Sequence, residues 1–302
     1  MVNAGITEKT LLLNKKKEMS NMKKIVFTIM MAIVMFTSVS VFAATPSKGK
    51  ILLVASSENT MELQNHTQMP VGFYLNELAV PAQYLAKQGY TVVMATPSGE
   101  KPTMDAGSNN AIFFNKNEKA REEALSFVGN LQPISLQKAV NELDEFSALF
   151  VPGGHAPMTD LMQDKNLFLA LQYFHKTGKP TAMICHGPVA ALAALPQATA
   201  FRQAMVAGDI HAALTASQNW QYAGYKMTVL SNPEELPGEI KKNTQMPFHV
   251  ADALQVAGAI VEEKGIYTSH VVRDRELITG QNPASDLALA KELVQALQEK
   301  KR

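Results

Sequence analysis

The reading of this chain turns on Thr181-Ala-Met-Ile-Cys185-His186-Gly187-Pro188-Val189-Ala190-Ala191-Leu192. Ala182 to Ile184 is a short apolar run that fits a buried strand, and it ends in the chain's one cysteine. Gly187 and the alanine-rich residues after it fit a turn entering a helix. Strand, nucleophile and helix in that order make a sharp turn that holds a side chain clear of the sheet. Backbone N–H groups and the positive end of the helix dipole then lie beside the sulfur and favour thiolate. A free cysteine is also a common small core residue, so the thiol alone carries little. The adjoining His186 and Gly187 turn the stretch towards chemistry.

Working outward, Ile51-Leu-Leu-Val-Ala55 reads as a strand buried on both faces. Gly72 to Gln88 follows as a helical segment with Leu75, Leu78 and Leu85 on one stripe, ended by Gly89, and Tyr90 to Ala95 is a second strand. That is a βαβ unit, which requires parallel strands and a right-handed crossover. Thr96 to Asn117, rich in Pro, Gly, Ser and Asn, is an irregular surface excursion of the kind that shapes pockets. Asn117 to Leu131 is a charged helix with a solvated face. Ala148 to Val151 is a third strand, stopping at Pro152-Gly153-Gly154-His155, where two glycines permit a tight loop with converging N–H groups. Such a loop is either half of an oxyanion hole or a plain strand-to-helix turn. Leu161 to Lys176 is a helix ending at Gly178, and Thr181 to Ile184 is the fourth strand. Two successive strands thus end in special loops at their carboxyl ends, where open parallel sheets place their sites. Ala204 to Thr215 and Lys226 to Leu230 read as weaker strands, Phe248 to Gly258 as a helix, and Ile266 to Val272 and Leu277 to Thr279 as late strands. Ala284 to Lys300, with Leu287, Leu289, Leu293 and Leu297 as its apolar pattern, is a last helix docked on the sheet.

At 302 residues, 46% hydrophobic and 18% charged, the chain buries a full core without disulfide or metal staples. A net charge of +1 and no basic stripe interleaved with aromatics exclude nucleic acid as an expected partner. The seven histidines are scattered, with no CxxC, HExxH or HxH spacing, so neither a metal nor another cofactor is expected. Lys23 and Lys24 precede an apolar run from Ile25 to Phe36, and Val41 and Ala43 suit the last positions before signal-peptidase cleavage after Ala43. Residues 1–43 therefore read as an N-terminal extension and signal peptide, with Met19 or Met22 as alternative starts, and 44–302 as a single domain. The apolar run is short for a membrane span. The expectation is an exported protein, periplasmic or secreted, with no stable membrane association after cleavage.

Several stretches resemble the ThiJ/PfpI superfamily, whose fold is related to class I glutamine amidotransferases. These are Gly72-Phe-Tyr-Leu-Asn-Glu77-Leu-Ala-Val-Pro81, Gly99-Glu-Lys-Pro102 with Asp105 and Ser108, Val151-Pro-Gly-Gly-His155, Ile184-Cys-His-Gly-Pro188, Met227-Thr-Val with Glu234-Glu235, and Leu277-Ile-Thr-Gly-Gln-Asn-Pro-Ala-Ser285. More narrowly they resemble its heat-shock chaperone-like branch of glutathione-independent glyoxalases (glyoxalase III type). The resemblance implies an α/β three-layer sandwich with a mostly parallel flavodoxin-like sheet, a nucleophile elbow and a homodimer. It implies Cys185 as nucleophile, His186 as adjacent base, Glu77 as the carboxyl beside the sulfur, and Glu235, with Glu234 as alternative, as the acid. Gly153, Gly154 and His186 would bind oxyanion and substrate. Without the resemblance Glu77 reads as an exposed helix residue. Ala156 and Asn76 depart from the family pattern, Asn76 standing where many members carry a second acid. Glutamine hydrolysis lacks its usual late His-x-Glu pair, since His270 is followed by Val271 and Val272.

The activity so implied converts a small 2-oxoaldehyde such as methylglyoxal to a 2-hydroxy acid, or removes early methylglyoxal adducts, without glutathione or metal. Two competitors use the same thiol differently. A holdase chaperone with Cys185 as a stress sensor would show a large exposed apolar patch. A cysteine amidase or peptidase would show a cleft with subsites beside Cys185 rather than a small closed pocket.

Overall fold

A computed structural model of the chain describes residues 10–24 and 47–300. The expected signal segment from Ile25 to Ala44 lies outside them. Residues 10–24 form an exposed helix, α1, within a unit of its own. Among the described residues no helix is long and apolar enough to cross a membrane.

The second unit is built on a seven-stranded sheet. Its strands in chain order are β1 (Lys50–Val54), β4 (Thr91–Thr96), β5 (Ile134–Ser135), β6 (Phe146–Val151), β7 (Thr181–Ile184), β10 (Val271–Asp274) and β11 (Leu277–Gly280). Short pairs lie outside it, β2 (Thr60–Glu62) with β3 (Gln68–Pro70) and β8 (Lys226–Met227) with β9 (Ile260–Val261). The helices are α2 (Leu75–Lys87), α3 (Glu118–Asn130), α4 (Leu136–Val140), α5 (Lys165–Thr177), α6 (Ala198–Ala207), α7 (Ile210–Ala216), α8 (Asn232–Lys242), α9 (Val250–Val256) and α10 (Asp286–Glu299).

The sheet order is β10-β11-β7-β6-β1-β4-β5, and every pairing is parallel except β10 with β11. All four residues of β7 and the last four of β1 are buried, as unbroken apolar runs require of strands covered on both faces. Helices flank the sheet; α2 packs against α3 and α10, and α5 against α4 and the Gly187–Ala194 segment. From β1 the chain builds one way through β4 and β5, then returns to add β6, β7 and β11 on the other side. The strand order therefore switches between β1 and β6. A crevice opens at the carboxyl ends of strands at such a point.

The α/β architecture with a mostly parallel sheet is the one the sequence predicts, and β7 spans the residues expected of it. Four local expectations fail. Ala204 to Thr215 is not a strand but the end of α6 and most of α7, separated by Gly208 in a left-handed conformation and Asp209, whose carboxylate accepts from the N–H of Ala212. An alanine-rich stretch keeps its helical preference there because Phe201, Ala204 and Met205 bury at helical spacing. Lys226 to Leu230 yields only the two-residue β8, because the Thr228 N–H is taken by Thr279 Oγ1 rather than by a neighbouring strand. Ile266 to His270 is loop, and β10 starts at Val271. The segment after Cys185 is a tight 3₁₀ helix, Gly187–Ala194, and all eight of its residues are buried.

A candidate cysteine active site

Cys185 follows β7 directly and takes φ of 59°, a left-handed conformation that a side chain other than glycine adopts at a cost. Its N–H donates to Gly280 O at 2.8 Å, and its carbonyl accepts from Leu230 N–H at 3.0 Å. Two neighbouring segments thus pin the strained turn. That geometry is the nucleophile elbow expected of strand, cysteine and tight turn.

The Cys185 Sγ lies 3.4 Å from His186 Nδ1, and His186 Nε2 lies 2.6 Å from Glu235 Oε2. An ionised carboxylate can only accept, so Nε2 carries the proton and the Nδ1 lone pair faces the thiol. Glu235 sits in the first turn of α8. Its other oxygen, Oε1, lies 3.1 Å from His155 Nε2. Burial on its own would raise the Glu235 pKa, but the hydrogen bonds and charge of His186 and His155 carry it well below the usual carboxylate range. Burial, reinforced by His155 and opposed by Glu235, lowers the pKa of His186 and favours the neutral imidazole with its Nδ1 lone pair free.

Glu234 has a different task. Its carboxylate accepts from Ser231 N–H and Oγ, Gln281 Nε2, Asn282 Nδ2 and Tyr267 N–H, at 2.7 to 3.0 Å. It ties the start of α8 to the loops around β11, and of the two adjacent acids only Glu235 reaches the histidine.

Glu77, on the first turn of α2, is fully buried rather than exposed. Neither of its oxygens has a nitrogen or oxygen partner, and the group they face is the sulfur of Cys185. Burial pushes its pKa up to about 8, so at neutral pH it is a neutral acid able to donate. Burial and then Glu77 also raise the thiol's pKa well above the ordinary value, against the lowering influence of the His186 N–H. This corrects the thiolate expectation. At rest Cys185 is a thiol, because a fully buried sulfur next to a carboxyl outweighs one tight turn of backbone dipoles.

Gly153 and Gly154 follow β6 beside this elbow. A methyl group on Gly153 would run into Glu77 Oε2 and lie 2.6 Å from Cys185 Cβ, so the bare glycine lets acid and sulfur approach. Gly154 has φ of 92°, and a methyl there would collide with the carbonyl oxygen of Gly72. Gly154, His155, Cys185, His186 and Glu235 line one cavity of about 970 Å³, whose apolar wall includes Phe113 and Phe114 from the Thr96–Asn117 excursion. Gly153 sits behind that surface as a spacer.

Three residues near the site carried no sequence signal of a role. His155 follows the Gly-Gly pair and shares Glu235 with His186. Tyr74 lines the cavity and meets Phe113 edge-on, ring centroids 4.9 Å apart. Asp286 accepts from Asn76 Nδ2 at 2.8 Å, and burial raises its pKa to about 6. The second acid missing at Asn76 is thus supplied in space by α10. His155, His186 and Glu235 also place two imidazole nitrogens and a carboxylate oxygen within 4.8 Å of one another, a possible metal donor set that no spacing in the sequence announces.

A family profile described as ThiJ/PfpI family-like matches residues 69–244, more than half of the chain. The protein/nucleic acid deglycase HchA of Pseudomonas aeruginosa is 24% identical over 257 residues, covering 82% of this chain and 81% of its own. The protein of the same name from Staphylococcus aureus is 26% identical over 266 residues, covering 84% and 82%. The crystal structure of glyoxalase III from Candida albicans aligns with a TM-score of 0.58 and 18% identity over 82% of this chain and 97% of that one, which shows a shared fold. The name of both curated relatives sets nucleic acid beside protein. That counts against excluding nucleic acid on charge alone, since an enzyme that takes up one unstacked base needs no basic stripe along a duplex.

Proposed function

The chain belongs to the ThiJ/PfpI family, and on that footing we propose that it is a cysteine-dependent, glutathione-independent enzyme of the glyoxalase and deglycase type, acting on methylglyoxal-type 2-oxoaldehydes and their early adducts. The observation that carries this reading is the relay itself: Cys185 on a strained elbow, His186 Nδ1 at 3.4 Å, Glu235 at 2.6 Å behind it, and a protonated Glu77 beside the sulfur.

The chemistry follows from these groups. His186 Nδ1 takes the thiol proton as Sγ adds to the aldehyde carbon, and the carbonyl π pair moves to oxygen, giving a hemithioacetal. Gly154 and His186 line the cavity, and we assign their N–H groups to the oxygen on which this charge develops. His186 passes its proton to this oxygen, then removes the proton from the former aldehyde carbon. Reprotonation of the resulting enediol at the neighbouring carbon yields a thioester. Water cleaves the thioester, releasing the 2-hydroxy acid and restoring the thiol, so the sum is 2-oxoaldehyde plus water to 2-hydroxy acid. Glu77, as a donor, stabilises negative charge on sulfur in the addition and release steps.

The cavity, about 970 Å³, is far roomier than a three-carbon aldehyde needs. This favours adducts carried on larger molecules as substrates alongside the free aldehyde. The same room favours a second reading, hydrolysis of amides or peptides by the same thiol. Export by a signal peptide within residues 1–43, cleaved after Ala43, and a homodimeric state belong to the proposal as well. Fractionation of expressing cells and sedimentation of the purified protein test them.

Lactate release from methylglyoxal by purified protein in thiol-free buffer tests the activity, with Cys185→Ala and Glu77→Gln alongside. Wild-type release no greater than the Cys185→Ala background sinks the glyoxalase reading. Cleavage of peptide or amide substrates in its absence supports the hydrolase.

A further inference from the structure

The grouping of His155, His186 and Glu235 does more than orient a base. Their donor atoms converge from two loops, those after β6 and β7, and from the first turn of α8, and all lie within 4.8 Å of one another. Both imidazoles aim Nε2 at one carboxylate, at 3.1 and 2.6 Å, and the two rings are held 4.2 Å apart between centroids. All three residues line the large cavity, which would give an ion a route to them and room for a water as fourth ligand. Two neutral imidazoles, one carboxylate and an open position form a donor set suited to a borderline divalent ion that accepts tetrahedral geometry. Hard ions such as Mg²⁺ and Ca²⁺ want more oxygen ligands than this group offers.

We propose that His155, His186 and Glu235 form a reversible Zn²⁺ site that switches the thiol off. Tetrahedral ligands about 2.0–2.1 Å from zinc lie roughly 3.3 Å from each other. The present separations of 2.6 and 3.1 Å run to different oxygens of Glu235, so the ion enters as the carboxylate draws back and turns one oxygen to both rings. Coordination uses the lone pair of each Nε2. A ring that coordinates through Nε2 and stays neutral must change tautomer: the proton now on Nε2 is given up, one is taken up at Nδ1 through solvent, and no net proton is released. On His186 that atom faces Cys185 Sγ at 3.4 Å. With a proton on Nδ1 and a metal on Nε2, His186 can donate to sulfur but can no longer accept the thiol proton. Zinc thus fixes the tautomer that is useless as a base. The metal site stands on geometry alone, whereas its inhibitory effect rests on the proposed cysteine mechanism.

The test separates the two. Zn²⁺ is titrated by calorimetry into the full chain carrying Cys185→Ser, so that the thiol cannot bind metal, and into His155→Ala, His155→Asn and Glu235→Gln on that background. One Zn²⁺ per chain is expected, with affinity reduced about 100-fold or more in each of the three variants, and unchanged in His249→Ala, which removes a histidine paired with Glu239 elsewhere. Binding that survives in all three variants, binding lost with His249, or no stoichiometric uptake at all overturns the site. In the protein with its cysteine, Zn²⁺ at saturating concentration should abolish lactate release, and a chelator should restore it. Site binding without inhibition overturns the switch and leaves the metal site standing.

Discussion

His186 donates through Nε2 to Oε2 of Glu235 across 2.6 Å, and the two residues stand 49 positions apart in the chain. This bond fixes which imidazole nitrogen meets the thiol. It also separates the roles of two adjacent acids that the sequence leaves interchangeable.

Glu234 and Glu235 should therefore fail differently. Glu235→Gln keeps the shape but loses the ionised acceptor, and kcat for lactate formation should fall by about 100-fold or more, in line with losing an oriented general base. Glu234→Gln turns one of the two oxygens that together accept from five donors, and so tie α8 to the loops around β11, into a donor NH2 that faces donors. It should lower the urea midpoint by an amount equal to about 2–4 kcal/mol, while the protein that remains folded keeps most of its kcat. Equal kcat losses in both would contradict this division of labour.

Glu77 should give the protein a characteristic pH dependence. Its folded-state pKa of about 8 lies above the ordinary glutamate value of roughly 4.3. The stability linked to its bound proton is complete below that ordinary value and is lost as pH rises through 8, at up to about 1.4 kcal/mol per unit. Glu77→Gln should flatten this decline, measured as urea midpoints from pH 5 to 9, and be more stable than wild type at pH 8.5. Its lactate-forming activity should nevertheless fall, because an amide is a weaker donor to sulfur.

Much of this architecture was legible because it rests on local pattern. Unbroken apolar runs mark β1 and β7, and Pro-Gly-Gly and Cys-His-Gly mark the two loops. What escaped depends on partners far away in the chain. Nothing near Glu77 announces complete burial, because the covering groups belong to the β6 and β7 loops. Asp286 meets Asn76 across 210 positions. Ala204 to Thr215 read as strand because apolar alternation over a few residues does not distinguish a strand from two short helices buried at every third or fourth position. His155 stood in a quoted stretch, yet its bond to Glu235 spans 80 positions.

Gly153→Ala should be more damaging than most loop substitutions. The added methyl would displace the Glu77 carboxyl and press on Cys185. Stability should drop by about 2 kcal/mol or more, and alkylation of Cys185 by iodoacetamide should lose the wild-type pH profile. A variant with unchanged midpoint and profile would mean that the loop yields freely.

Phe113→Ala should separate substrates by size. The ring forms part of the cavity's apolar wall and braces Tyr74 edge-on. KM for a methylglyoxal adduct on a blocked lysine or a peptide should rise about 10-fold, with little change for free methylglyoxal. Parallel changes for both would argue that the outer cavity takes no part in binding.

The most direct test is intact-mass and peptide mass spectrometry of the protein quenched during turnover of methylglyoxal. A covalent addition of one methylglyoxal unit, confined to the peptide bearing Cys185 and chased to lactate when free substrate is removed, is the predicted result. Lactate formed at the wild-type rate by Cys185→Ala, with no adduct on the wild-type thiol, would contradict the account.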